Sequence, residues 1–139
     1  MFEYYLFGIF ILIAVVFMDQ ITKILALKGV FSKVNISFIK FGVVRNRGAM
    51  FGFLKSNRKL LLLIHTSAIV FMIFLLLTED TYFYGLILMA GGGISNLIDR
   101  LIRGSVIDWF SFKIIGNLYF NLADFFVFIG VILLLIVDL

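Results

Sequence analysis

Long hydrophobic runs separated by polar stretches predict four membrane-spanning helices, over about 4–27, 60–78, 82–98 and 118–137. Roughly 20 apolar residues suffice to cross a bilayer core, and these runs approach or exceed that length. Only Glu79, Asp80 and Thr81 separate the second and third runs, so that pair forms an antiparallel helical hairpin. The first run lacks a preceding Lys or Arg and a following small-residue cleavage site, so it reads as a span and not as a signal peptide. Segment 28–59 carries eight Lys or Arg and no acid, and in it Val34, Ile36 and Phe38 alternate with Asn35 and Ser37 at the period of a half-buried strand. Residues 101–118 form a second surface segment, and Trp109, Phe110, Phe112 and Tyr119 are aromatics suited to headgroup level. The expected fold is a single-domain, all-α membrane protein of four transmembrane helices. A small β-rich surface segment lies between helices 1 and 2, and an amphipathic loop between helices 3 and 4.

Composition narrows the class. The chain has 139 residues, of which 63% are hydrophobic, leaving too little polar surface to coat a soluble globule. It has no cysteine, which removes disulfides and thiolate chemistry, and one histidine, His65, which argues against a His-rich metal site. His65 reads as a polar residue bonded to a neighbouring helix. Twelve Lys and Arg face eight Asp and Glu, but the basic residues sit between spans, which points to anionic lipid headgroups and not to nucleic acid.

The acids carry the functional signal. With spans running up, down, up and down, Asp19, Asp99, Asp108 and Asp124 converge at one membrane face. A charged side chain at membrane depth costs about 2.5–3.5 kcal/mol, so such residues mark sites. The uncharged helix after Asp124 places that residue about 10 Å below the face, at roughly 1.5 Å per residue in a core of about 30 Å. Two close carboxylates do not both ionise readily; one then activates water while the other protonates an amide leaving group. Spacing alone does not choose between Asp99 and Asp108 as partner to Asp124. Asp19 and Lys23, four residues apart on one helix face, read either as a neutralised ion pair or as part of the site. Gly91, Gly92 and Gly93 allow close helix packing; no strand before them and no GK[ST] after them supports a phosphate loop. An ion-coupled transporter, the competing class, needs acids near the midplane with access to both faces, whereas these lie toward one.

Five motifs bear a specific likeness: Asp19-Gln-x-Thr-Lys23, Asn46-x-Gly48-x-x-Phe-Gly52, Gly92-x-x-x-Asn96-x-x-Asp99-Arg100, Gly104-x-Val-x-Asp108 and Phe120-Asn121-x-Ala123-Asp124. In this order they resemble the motifs of lipoprotein signal peptidase, the signal peptidase II family. That resemblance implies a four-helix aspartyl peptidase of the bacterial cytoplasmic (inner) membrane, with its active site toward the outer face. It implies cleavage of prolipoprotein signal peptides before a diacylglyceryl-modified cysteine. The catalytic pair then falls on Asp108 and Asp124, with Asp19, Lys23, Asn96, Asp99, Arg100 and Asn121 in support. Asn46 and Gly48 belong to the surface segment over the substrate. No metal and no cofactor is implied; the partners are the lipidated precursor and membrane lipids, and the acting unit is a monomer. Ser95 stands where the family often has glycine. The positive-inside rule instead places the aspartate face in the cytoplasm, because all twelve basic residues lie there. A basic segment beyond Leu139 would reconcile the two; the orientation adopted follows the five motifs.

Overall fold

The computed structural model describes residues 2–48, 57–78 and 83–137. The part of the Asn46 motif at 49–52, the turn at 79–81 and the expected start of the third span at 82 lie outside the described residues. Six main elements follow in order: α1 (Phe2–Leu27), β1 (Ile39–Asn46), α2 (Arg58–Thr78), α3 (Phe83–Ile102), β2 (Val106–Phe112) and α4 (Leu122–Val137). Short 3₁₀ turns occupy Val30–Lys33 and Lys113–Ile115.

Among the described residues, three helices are long and apolar enough to cross a membrane: Glu3–Leu27, Arg58–Thr78 and Phe83–Ile102. Their outward faces show why lipid must cover them, with Phe10 67%, Phe17 63% and Leu77 71% exposed. The fourth helix is shorter than the expected 118–137. It begins only at Leu122 and has 16 residues, about 24 Å of helix. The four preceding residues are used otherwise, since Phe120 pairs with Phe110 as an isolated bridge.

Helix α3 packs against each of the other three helices. Successive helical residues turn by about 100°, so three glycines in a row address three different neighbours. A Cβ on Gly91 would meet Val15 Cγ1 of α1 at 2.9 Å, one on Gly92 the Ala123 carbonyl oxygen of α4 at 2.5 Å, and one on Gly93 Ile69 Cγ1 of α2 at 3.3 Å. The close packing expected of this triplet is present on all three sides.

Both surface segments differ from expectation. The strand of the first begins at Ile39, later than the Val34–Phe38 alternation suggested; Val34 and Phe38 are exposed, and Ile36 makes only an isolated bridge to Ile39. The second is not an amphipathic loop. It holds β2, antiparallel to β1, and Val106 through Ser111 are all buried. Its far edge is covered too, because Trp109 and Phe110 N–H groups donate to the Phe120 carbonyl and Phe120 N–H returns a bond to Phe110. Trp109 and Phe110 therefore face a packed cluster with Ala26 and Phe31, not headgroups. The pairing changes register once: Phe41 opposes Phe110 but Val44 opposes Asp108, so β1 holds one extra residue, a bulge at Gly42 and Val43. That extra residue moves Asn46 onto the face of the sheet that Asp108 occupies, since a one-residue shift exchanges the two faces.

The glycine contacts predict unequal costs. Gly92→Ala presses a methyl group into backbone and should destabilise by about 1–3 kcal/mol. Gly93→Ala meets only side chains, Ile69 and Met72, and should cost well under that; thermal unfolding of both variants in one detergent measures the difference.

Candidate active site

An ammonium group with no solvent exposure organises one end of the bundle. Lys23 Nζ on α1 lies 2.5 Å from Asp19 Oδ2, 3.0 Å from Asp99 Oδ2 and 2.8 Å from Asn96 Oδ1. The i,i+4 pair expected from the sequence is thus present and extends to α3. Asp19 also accepts from Ser95 Oγ at 2.6 Å and from the Ala123 backbone N–H at 2.9 Å. Asp99 accepts from the Ile107 N–H at 2.9 Å, and Arg103 closes on its other oxygen. Two buried acids are therefore balanced by Lys23 and Arg103, and the cluster ties α1 to α3, β2 and the start of α4. Gln20 fills the remaining gap, donating to Ser95 and Asp99 while accepting from Arg103 at 2.8 Å.

Beside this cluster stand Asp108 on β2 and Asp124 in the first turn of α4. Asn121 is the N-cap of α4 and forms a reciprocal box: its Oδ1 accepts from the Asp124 N–H at 3.0 Å, and Asp124 Oδ2 accepts from the Asn121 N–H at 3.2 Å. With Oδ1 committed, Asn121 Nδ2 is the end that donates to Asp108 Oδ1, at 2.6 Å. Asn96 works alike: Lys23 holds its Oδ1, so its Nδ2 donates to Asp124 Oδ1 at 3.0 Å. Asn46 Nδ2 donates to Asp108 Oδ2 at 3.1 Å, and its own Oδ1 accepts from the Gly48 N–H. Each carboxylate is thus held by amide donors whose orientation a further residue fixes.

The two acids differ in exposure. Asp108 is 3% exposed, whereas Asp124 is half-buried. Burial, and after it the Asp124 carboxylate, pushes the Asp108 carboxyl up to about 7, against the opposing effect of the Asn46 and Asn121 hydrogen bonds and of Lys23. Arg100 reaches across from α3, donating Nη2 to the Gly48 carbonyl at 3.0 Å.

All ten residues singled out by sequence lie in this connected region. They fall into two groups: Asp19, Lys23 and Asp99 form the ion cluster, while Asn46, Gly48, Asn96, Arg100 and Asn121 surround Asp108 and Asp124. Asp99, the alternative that spacing left open, is saturated by Lys23, Arg103, Gln20 and Ile107. Sequence reasoning gave no role to Arg103, Gln20 or Ser95. Arg103 was accessible, since it stands four residues after Asp99 just as Lys23 does after Asp19.

Membrane-length helices with carboxylates gathered at one end define a helical membrane enzyme. A model of the family described as signal peptidase (SPase) II matches residues 11–139. A lipoprotein signal peptidase of Clostridioides difficile is 36% identical over 135 residues, 92% of this chain and 91% of that protein. One of Caldicellulosiruptor bescii is 37% identical over 122 residues, 84% and 80% respectively. A solved bacterial membrane enzyme superposes with a TM-score of 0.78 at 27% identity, covering 95% of this chain and 92% of that one. The chain belongs to the signal peptidase II family of membrane aspartic peptidases.

Lys23→Met would leave Asp19 and Asp99 buried without their shared cation. We expect a loss of about 3–5 kcal/mol of stability, as when one partner of a buried pair is removed, visible as a large fall in the thermal midpoint in detergent.

Proposed function

We propose that the protein removes signal peptides from prolipoproteins by hydrolysing the bond before a diacylglyceryl-modified cysteine, with Asp108 and Asp124 as the catalytic pair. The observation that carries this reading is buried Asn121, whose side-chain Nδ2 donates to the Asp108 carboxylate while its backbone N–H donates to that of Asp124. Asp108, the more deeply buried acid, keeps its proton near neutral pH. Asp124, closer to solvent, is the base. It takes a proton from water, whose oxygen attacks the scissile carbonyl carbon. Asp108 gives its proton to the amide nitrogen as the C–N bond of the tetrahedral centre breaks, and the proton taken up by Asp124 passes back to Asp108 to reset the pair. Asp19, Lys23, Asn96, Asp99, Arg100 and Asn121 support the pair, and Asn46 and Gly48 line the segment over the substrate. The protein crosses the inner membrane four times as a monomer, with this site toward the outer face, and the reaction uses no metal.

The proposal is tested with one precursor in lipidated and unlipidated forms in the same bilayer. Each methylene of a buried acyl chain contributes about 0.8 kcal/mol to membrane anchoring, so the lipidated form should be cut far faster; equal rates would overturn the reading. Asp108→Asn and Asp124→Asn should each lower the rate by about 10²–10⁴ or more while the protein stays folded, and wild-type turnover by either would dismiss the pair.

The pH profile follows from Asp108. Its proton is lost as pH rises through about 7, so the acid form required for the reaction declines and kcat/KM should fall on that side. A profile still rising above pH 8 would reverse the roles assigned to the two acids.

A further inference from the structure

We infer that His65, which belongs to none of the five motifs, is a positioning residue that acts through Arg100 and Gly48 to hold the Asn46 amide against Asp108. The inference rests on the reading of Asp108 as one of the catalytic acids. A histidine within a membrane-spanning helix is costly at membrane depth and needs a partner. His65 Nδ1 lies 3.1 Å from Arg100 Nη1. Arginine side chains offer donors only, so Nδ1 is the acceptor, and the ring is neutral with its proton on Nε2. The Gly93 backbone of α3 also acts on the ring as a hydrogen-bond partner.

Among the described residues the guanidinium so held has few other partners. Nη1 makes one further contact there, with the Asn96 carbonyl at 3.4 Å, and Nε is buried with none. Nη2 is left to grip the Gly48 carbonyl at 3.0 Å. On the other side of the same residue, the Gly48 N–H donates to Asn46 Oδ1 at 3.1 Å, which turns Asn46 Nδ2 toward Asp108 Oδ2 at 3.1 Å. Each link commits the atom that would otherwise let the next one turn. Arg58, also on α2, secures the Arg100 carbonyl at 2.9 Å, so α2 holds this arginine at both ends. The charged groups acting on the guanidinium are Asp108, Asp124 and Asp99, and the cation acting on Asp108 is Lys23.

Two measurements on the full chain test this. His65 is the chain's one histidine, so selective ¹⁵N labelling reads its ring directly. Nδ1 should resonate as an unprotonated nitrogen and Nε2 as a protonated one; the opposite tautomer overturns the inference whatever the protein cleaves. The second compares His65→Phe, a ring with no acceptor, with His65→Asn, whose Oδ1 stands where Nδ1 did, on lipidated precursor across pH. His65→Phe should lower kcat on the order of tenfold, the scale of one hydrogen bond near a charged group, with KM little changed. Its alkaline limb should also move to higher pH, because the Asn46 bond that favours ionised Asp108 is weakened. His65→Asn should restore both. Wild-type behaviour of His65→Phe, equal losses in the two variants, or a lower kcat with an unmoved limb each rules out the positioning role. Failure of the wild-type protein to cut the lipidated precursor would instead sink the functional reading and leave the tautomer result standing.

Discussion

Everything at the functional end of this bundle depends on one buried cation. Lys23 has no exposed surface, and taking an ammonium out of water costs several kcal/mol before any partner is counted. It is tolerated because three oxygens converge on it and because their own remaining valences are filled by Ser95, Ala123, Ile107, Gln20 and Arg103. Those second partners come from α1, α3, β2 and α4. A half-satisfied version of such a network would be worse than an apolar core, so the cluster permits essentially one relative placement of these elements. The arrangement of Asp108 and Asp124 inherits that single placement.

The glycine triplet serves the same end by different means. An ion network enforces geometry only over hydrogen-bond distances, so the helices that carry it must first approach closely. Gly91, Gly92 and Gly93 bring α1, α4 and α2 against α3 within one turn, immediately before Ser95, Asn96 and Asp99. Packing and electrostatics are therefore adjacent on one helix, one setting distance and the other setting register.

Much of this was legible from residue order, and the exceptions have physical causes. The Asp19–Lys23 spacing, the glycine triplet and the apolar runs are local signals, and local signals survive without a structure. Strand β2 was missed because both its faces and both its edges are covered, so Val106–Phe112 shows no alternation of polar and apolar positions to read. Strand β1 was placed too early because the alternating Val34–Phe38 stretch precedes it, while the actual strand contains a bulge that breaks its period at Gly42 and Val43. The partners in the long-range bonds were not legible: Gln20 meets Asp99 across 79 positions, and His65, expected to bond a neighbouring helix and found to do so, meets Arg100 across 35.

The placement of the two acids at element junctions has a further consequence for the proposed reaction. Within a continuous membrane helix a carboxylate finds no free backbone N–H, because each is used four residues earlier. Asp124 sits where a helix begins, so the Asn121 N–H is available to it. Asp108 lies on a strand, and its two oxygens take only side-chain amides, Asn46 and Asn121, while burial opposes its charge. Two chemically identical groups are thus held by different donors, one by a backbone N–H at a helix start and one by side-chain amides on a buried strand, and the capping Asn121 donates to both. The proposed reaction would draw one acid from a loop-borne sheet and one from a helix N-terminus, so the pair is assembled only when that capping asparagine brings the two elements together.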